Sequence, residues 1–298
     1  MTPDDKPLPQ SSIPDPQSGT SVDVPKESPR TILFQFVFFP LGIVAVAVLV
    51  FFLFGRLASD EQGISDYLNE VQSGGRRERW QAAYQLSQLI NAGEAKKQPN
   101  LVEQVIGVYR NSKDDDPRIR RYLSMVLGNL GDKRATPLLI EALAEKDVET
   151  RIYASLALGR LKDPAAVPHL LNAFSTDERD VRKAAAYALG EIGDPRGVPA
   201  LAAALNDPIA DVRFNSAVAL ARFGDRRAIG VIREMLDRNR LASIPGMRDD
   251  QKEAILLTAM PALLRLAPEE AKTALKPIAD SDPSMQVRSA AKEALQKL

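Results

Sequence analysis

The stretch "DVRKAAAYALGEIGDPRGVPALAAALND", residues 180–207, decides the fold. Val181, Ala184, Ala185, Ala188, Leu189 and Ile192 fall at i, i+3, i+4, i+7, i+8 and i+11, which is one face of an α-helix. Gly193 can take the left-handed conformation that ends such a helix. Asp194 is then placed to cap a second helix with Pro195 at its first position, where a missing N–H costs nothing. In that helix Val198, Leu201 and Leu205 face inward. The stretch reads as helix, tight turn, helix.

The same punctuation recurs along the chain. Arg120, Arg151, Arg182 and Arg213 are spaced by 31 residues, as are Gly128, Gly159 and Gly190, then Asp132, Asp163, Asp194 and Asp225, then Pro137, Pro168 and Pro199. A fixed period of this size is the signature of a solenoid. No helix pair of this kind can bury its apolar stripe alone, so copies must stack.

The unit resembles HEAT repeats, specifically the short bacterial kind associated with phycobilisome lyases, of the form D-x-x-V-R-x-x-A-A-x-A-L-G-x-I-G-D-P-x-A-V-P-x-L. Residues 178–201 match that form nearly throughout, and the copies from 116, 147 and 209 match well. Three positions depart from it: Lys162 replaces the turn glycine, Ala221 the mid-helix glycine and Gly230 the proline. "RRERWQAAYQLSQL" at 76–89 reads as an outlying first helix, "AGEAKKQPN" as an inserted loop, and the next helix starts at about Leu101. "NRLASIPGMRDD" at 239–250 is a second insertion, followed by a helical pair without the motif and a final half-repeat around Val287, Arg288, Ala291 and Leu295. The resemblance implies an all-α fold, a right-handed α-solenoid of about six to seven HEAT-like repeats over residues 76–298. It is almost silent about function.

The N-terminal quarter differs. Residues 1–30 hold seven prolines and almost no large apolar side chain, and so read as a disordered tail. Residues 31–55, "TILFQFVFFPLGIVAVAVLVFFLFG", carry no charge and are long enough for a membrane-spanning helix, kinked at Pro40. A cleaved signal peptide would have a basic n-region and a shorter apolar run. The "GIVAVAV" stretch lacks the G-x-x-x-G spacing of helix dimers. Residues 56–75 read as a juxtamembrane linker and short helix, with Ile64, Tyr67, Leu68 and Val71 at helical spacing. Lys6, Lys26 and Arg30 precede the span, and Arg56 stands alone after it until Arg76. The expectation is a single-pass protein of a bacterial inner membrane with an exported solenoid.

The 39 basic and 39 acidic residues cancel, which argues against a nucleic-acid partner. There is no cysteine, so disulfide and thiolate chemistry are excluded. His169 is the only histidine, too few ligands for a metal site of the usual kind, and its equivalents Leu138, Ala200 and Val231 mark it as a surface residue. The paired His-Glu motifs of iron hydroxylases built on HEAT-like repeats are missing. No Gly-rich phosphate loop or Ser-His-Asp set can be built. The arginine row could bind phosphates or carboxylates. An acid accompanies each arginine, however, and structural pairing is expected instead, for Arg182 with Asp180 or Asp211.

These observations favour a membrane-tethered scaffold that binds another protein, without catalysis and without cofactors. The alternative is a lyase or lyase auxiliary, as in the resembled family. The resemblance also implies that the second helix of each pair lines the concave side. With Leu139, Leu143, Leu170, Phe174, Leu201, Leu205, Ile232 and Leu236 assigned to the core, the partner-binding stripe would be Leu138, Glu141, His169, Asn172, Ala200, Ala203, Val231 and Glu234. Ala200 and Ala203 would form a shallow dip at its centre.

Overall fold

The computed structural model describes residues 39–58, 63–90 and 100–298. The chain divides into two units, residues 1–61 and 62–298. In the first unit the described element is α1, Phe39–Ala58. Its large apolar side chains from Leu41 to Phe51 are exposed, from 44% at Val50 to 75% at Phe51.

One expectation changes here, while another, the kink at Pro40, turns on residues 31–38, which lie outside the described residues. Among the described residues no helix is long and apolar enough to cross a membrane. The expected span of 31–55 coincides with α1 only from Phe39, its first eight residues lying outside the described ones, and α1 runs on past Gly55 through Arg56. The proposed tail of residues 1–30 and the loop at 92–100, up to residue 99, also lie outside the described residues.

The second unit is a row of helix pairs. It begins with α2 (Ile64–Ser73), whose Leu68 and Val71 are buried in the core it shares with the first pair. This helix therefore packs as part of the solenoid, not as a free linker. The pairs are α3 (Arg76–Leu89) with α4 (Leu101–Asn111), α5 (Pro117–Leu130) with α6 (Thr136–Ala142), and α7 (Val148–Leu161) with α8 (Val167–Phe174). They continue with α9 (Arg179–Ile192) and α10 (Val198–Ala203), then α11 (Ala210–Arg222) and α12 (Ile229–Leu236). The insertion at 239–250 forms the short α13 (Arg238–Ala242) and a turn at Gly246. The pair α14 (Asp249–Leu266) and α15 (Pro268–Ser281) comes next, and α16 (Met285–Gln296) closes the row as half a repeat.

Local chemistry explains the unit. The first helices α5, α7, α9 and α11 are each followed by a left-handed residue 31 positions from the last: Gly131, Lys162, Gly193 and Gly224. Asp132, Asp163, Asp194 and Asp225 then accept from the N–H two residues on, at 2.9–3.1 Å. They cap a single 3-10 turn, such as Pro195–Gly197, and not the second helix directly. Pro199 has no N–H to return to the carbonyl of Pro195, so the α-helix proper starts at Val198. Leu139, Leu170, Leu201 and Ile232 are fully buried at the centre of each pair, with Phe174 and Leu236 nearly so and Leu143 and Leu205 half-buried.

Candidate functional site

The side on which the solenoid bends follows from its smallest residues. A Cβ placed on Gly128 would lie 2.9 Å from Ala157 Cα, one on Gly159 would lie 2.9 Å from Ala188 Cα, and one on Gly190 would lie 2.6 Å from Ala219 Cβ. The first helices α5, α7, α9 and α11 therefore touch backbone to backbone. Consecutive second helices make no comparably close approach. A stack with one tightly spaced layer curves toward that layer, so the first helices form the inner wall.

This reverses the expected assignment. The predicted stripe sits on the outer layer and does not run continuously. Leu138 is buried, Ala200 and Val231 are half-buried against the core, and Glu141, His169, Asn172 and Ala203 are exposed. Glu234 accepts from Arg213 Nη2 at 2.6 Å and is committed to the fold. The Ala200–Ala203 dip thus faces away from the inner wall.

The inner wall carries a different pattern. Along its middle run Tyr122, Met125, Tyr153, Leu156, Tyr187 and Val218, apolar or aromatic and each only half-buried. Tyr84, Tyr122 and Tyr153 meet edge to face, at centroid distances of 5.2 and 6.3 Å. On one rim Arg121 holds Asp147 at 2.6 Å and also Glu149, Lys183 holds Asp211 at 2.9 Å, and Arg118 lies 4.2 Å from the Trp80 ring. The Arg121 guanidinium, helped by the Thr150 hydroxyl and N–H, pulls the Asp147 carboxyl down to about 2. On the other rim Arg222 pairs with Glu191 at 2.6 Å, and Lys162 approaches the same carboxylate at 3.8 Å. The wall is an apolar ribbon between two ladders of largely paired charge.

The arginine row is structural, as expected, though its partners differ. Arg120 pairs with Glu145, Arg151 with Glu178, Arg182 with Asp207 and Arg213 with Glu234. Arg120 also donates to the carbonyl of Tyr109 in the last turn of α4, and Arg182 and Arg213 to the loop carbonyls of Thr176 and Asp207. Asp180 and Asp211, the partners expected for Arg182, instead meet Arg179 and Lys183. Two further members lie off the 31-residue row. Arg79 clamps Asp115 with two bonds, at 2.6 and 2.8 Å, and Arg288 donates to the carbonyl of Asp282 at 2.5 Å. Arg120 also stacks 4.1 Å over the Tyr109 ring, and burial pushes the Tyr109 phenol up to about 12. Among the described residues no three His, Cys, Asp or Glu side chains converge as a metal site.

The HEAT-repeat family model matches residues 109–189 and 167–244. Among solved structures, the chain is similar to the complex of CpcE and CpcF of phycocyanin lyase from Nostoc sp. PCC7120, with 21% identity, a TM-score of 0.48, and coverage of 79% of this chain and 97% of that one. It is also similar to YibA of E. coli, with 16% identity, a TM-score of 0.49, and coverage of 82% and 85%. Human deoxyhypusine hydroxylase in complex with glycerol gives 18% identity, a TM-score of 0.33, and coverage of 81% and 97%. No curated protein matches the sequence.

Proposed function

We propose that the protein is a tethered HEAT-repeat module that binds another protein along the inner wall of its first helices. The observation that carries this reading is the ribbon from Tyr122 to Val218, whose side chains keep apolar character at half-exposed positions across four successive helices. Apolar surface left open in a continuous strip favours a partner that covers it. The reading assigns a binding role and not a catalytic one, with no cofactor.

The tether is the finer part of the proposal. Its support is the uncharged sequence of residues 31–55 together with the open apolar surface of α1 from Leu41 to Phe51. Carbonate washing should leave the full chain in the membrane fraction, and its release would remove the tether.

A photo-crosslinking residue placed at Tyr187 on the inner wall should capture a discrete partner in cells, whereas one at His169 on the outer layer should not. Capture from His169 alone, or from neither, would overturn the assignment. The lyase-related alternative makes a separate expectation, a visible absorption band from a bound bilin in the purified protein.

A further inference from the structure

The inner wall has one seam that does not close. From α5 to α11, each first helix presents a glycine to an alanine of the next, but at the following step the glycine position is occupied by Ala221. The chain then departs from its period through the 239–250 insertion before α14 begins. Between α11 and α14 this leaves two adjoining hollows of about 320 and 440 Å³ that share Val218, Arg222 and Thr258. Their floor is apolar, with Met235 and Phe214 buried beneath Val218 and Ile255. Their mouth carries Lys183, paired with Asp211 at 2.9 Å, together with Arg222 and Arg265, and is net positive. Arg222 is held by Glu191, but Arg265 donates only to the carbonyl of Arg222, at 3.3 Å, and no carboxylate pairs with it among the described residues. Arg160 and Lys162 lie on the same rim two helices away, against the single acid Glu191.

The geometry points to this groove as the docking site for an acidic amphipathic segment of a partner protein, with a large apolar side chain entering between Val218 and Thr258 and a carboxylate meeting Arg265. The assignment rests on the binding role proposed above and names the chemistry it selects. Charge complementarity decides the occupant. A basic segment would meet Arg265 and Arg222 as like charges, and a purely apolar one would leave a desolvated guanidinium without a partner.

The test uses a random-peptide display library selected on the full-length chain in detergent micelles, then repeated on Thr258→Trp, which fills the groove from an exposed helix position without touching the core. The expected winners carry Asp or Glu within one helical turn of a bulky apolar residue and disappear on Thr258→Trp. A synthesised winner measured by fluorescence anisotropy should lose about tenfold in affinity on Arg265→Glu, and its Glu→Lys analogue should recover part of that loss on the same variant. Circular dichroism of both variants should match the parent. Winners that persist on Thr258→Trp place binding elsewhere on the chain and overturn the groove while sparing the binding role. Winners indifferent to Arg265→Glu overturn the acidic chemistry, and an unenriched library overturns both.

Discussion

Gly190→Ala is the substitution that tests the stacking geometry most directly, because two rules give it opposite signs. In a helix with free space, replacing glycine by alanine gains about 1 kcal/mol of helix propensity. At Gly190 the new Cβ would sit 2.6 Å from Ala219 Cβ and 3.0 Å from its Cα. Carbon atoms rest at about 3.5–4.0 Å, so α9 and α11 must part by about 1 Å. Overpacking of this kind costs about 1–3 kcal/mol. The net expectation is a loss of up to about 2 kcal/mol, or a melting temperature lower by up to about 8 °C for a unit of this size. Gly107 in α4 supplies the control, since a Cβ there meets nothing within 4 Å. Gly107→Ala should therefore stabilise, by up to about 1 kcal/mol. Thermal unfolding followed by far-ultraviolet circular dichroism reads both. The double variant Gly190→Ala with Ala219→Gly moves the methyl to the other side of the seam and should recover most of the loss. If Gly190→Ala raised the melting temperature as Gly107→Ala does, the first helices would not be in backbone contact and the inner wall would be misassigned.

Lys162 is the one described residue other than glycine at positive φ, 49°, and its pair with Glu191 is long and exposed. Lys162→Gly should relieve about 0.5–1 kcal/mol and raise the melting temperature by about 1–4 °C, net of the entropy glycine adds to the unfolded chain. Arg120, with its side chain 6% exposed, should be the costliest arginine of the row to lose. Arg120→Ala should cost about 3 kcal/mol in urea unfolding by stranding Glu145 and the Tyr109 carbonyl, and Arg213→Ala, at 21% exposure, should cost less. Acid should unfold the solenoid late. Asp147 and Asp194 are held down at about 2 by Arg121 and Arg196, below the unfolded value near 3.9. Their stabilisation is present above about pH 4 and is lost as pH falls from there toward about 2, so a midpoint above pH 5 would contradict these pairings.

Much of the architecture could be read from spacing, because it depends on residues with one backbone role. The glycine, aspartate and proline rows mark where first helices end, where turns are capped and where second helices start. What could not be read was which layer is inner, since a helix pair in a continuous row can be divided in either phase. The signal was present but unpaired. Gly128, Gly159 and Gly190 each face an alanine 29 residues later, and only the first helices have such contacts. The arginine partners were hidden for a different reason. Glu145, Glu178, Asp207 and Glu234 follow their arginines by 25, 27, 25 and 21 residues, so no fixed row betrays them. A long, flexible guanidinium reaches whichever acid the loop brings near.

The copies also serve as comparisons for one another, and that separates the two candidate faces. At a core position the environment is the same in every repeat, and the residue is the same: Leu127, Leu158, Leu189 and Leu220, each no more than 1% exposed. On the outer layer the row Leu138, His169, Ala200 and Val231 changes size and polarity freely, as expected where nothing but solvent and local packing sets the choice. The inner row Met125, Leu156, Tyr187 and Val218 does neither. Its members differ in shape yet all remain apolar while half-exposed to water, a choice that folding alone does not require at such positions. Burial in the monomer would favour one shape repeated, and solvent exposure would tolerate polar residues. A surface that holds its hydrophobicity and varies its contour from helix to helix is what contact with a non-repeating partner demands.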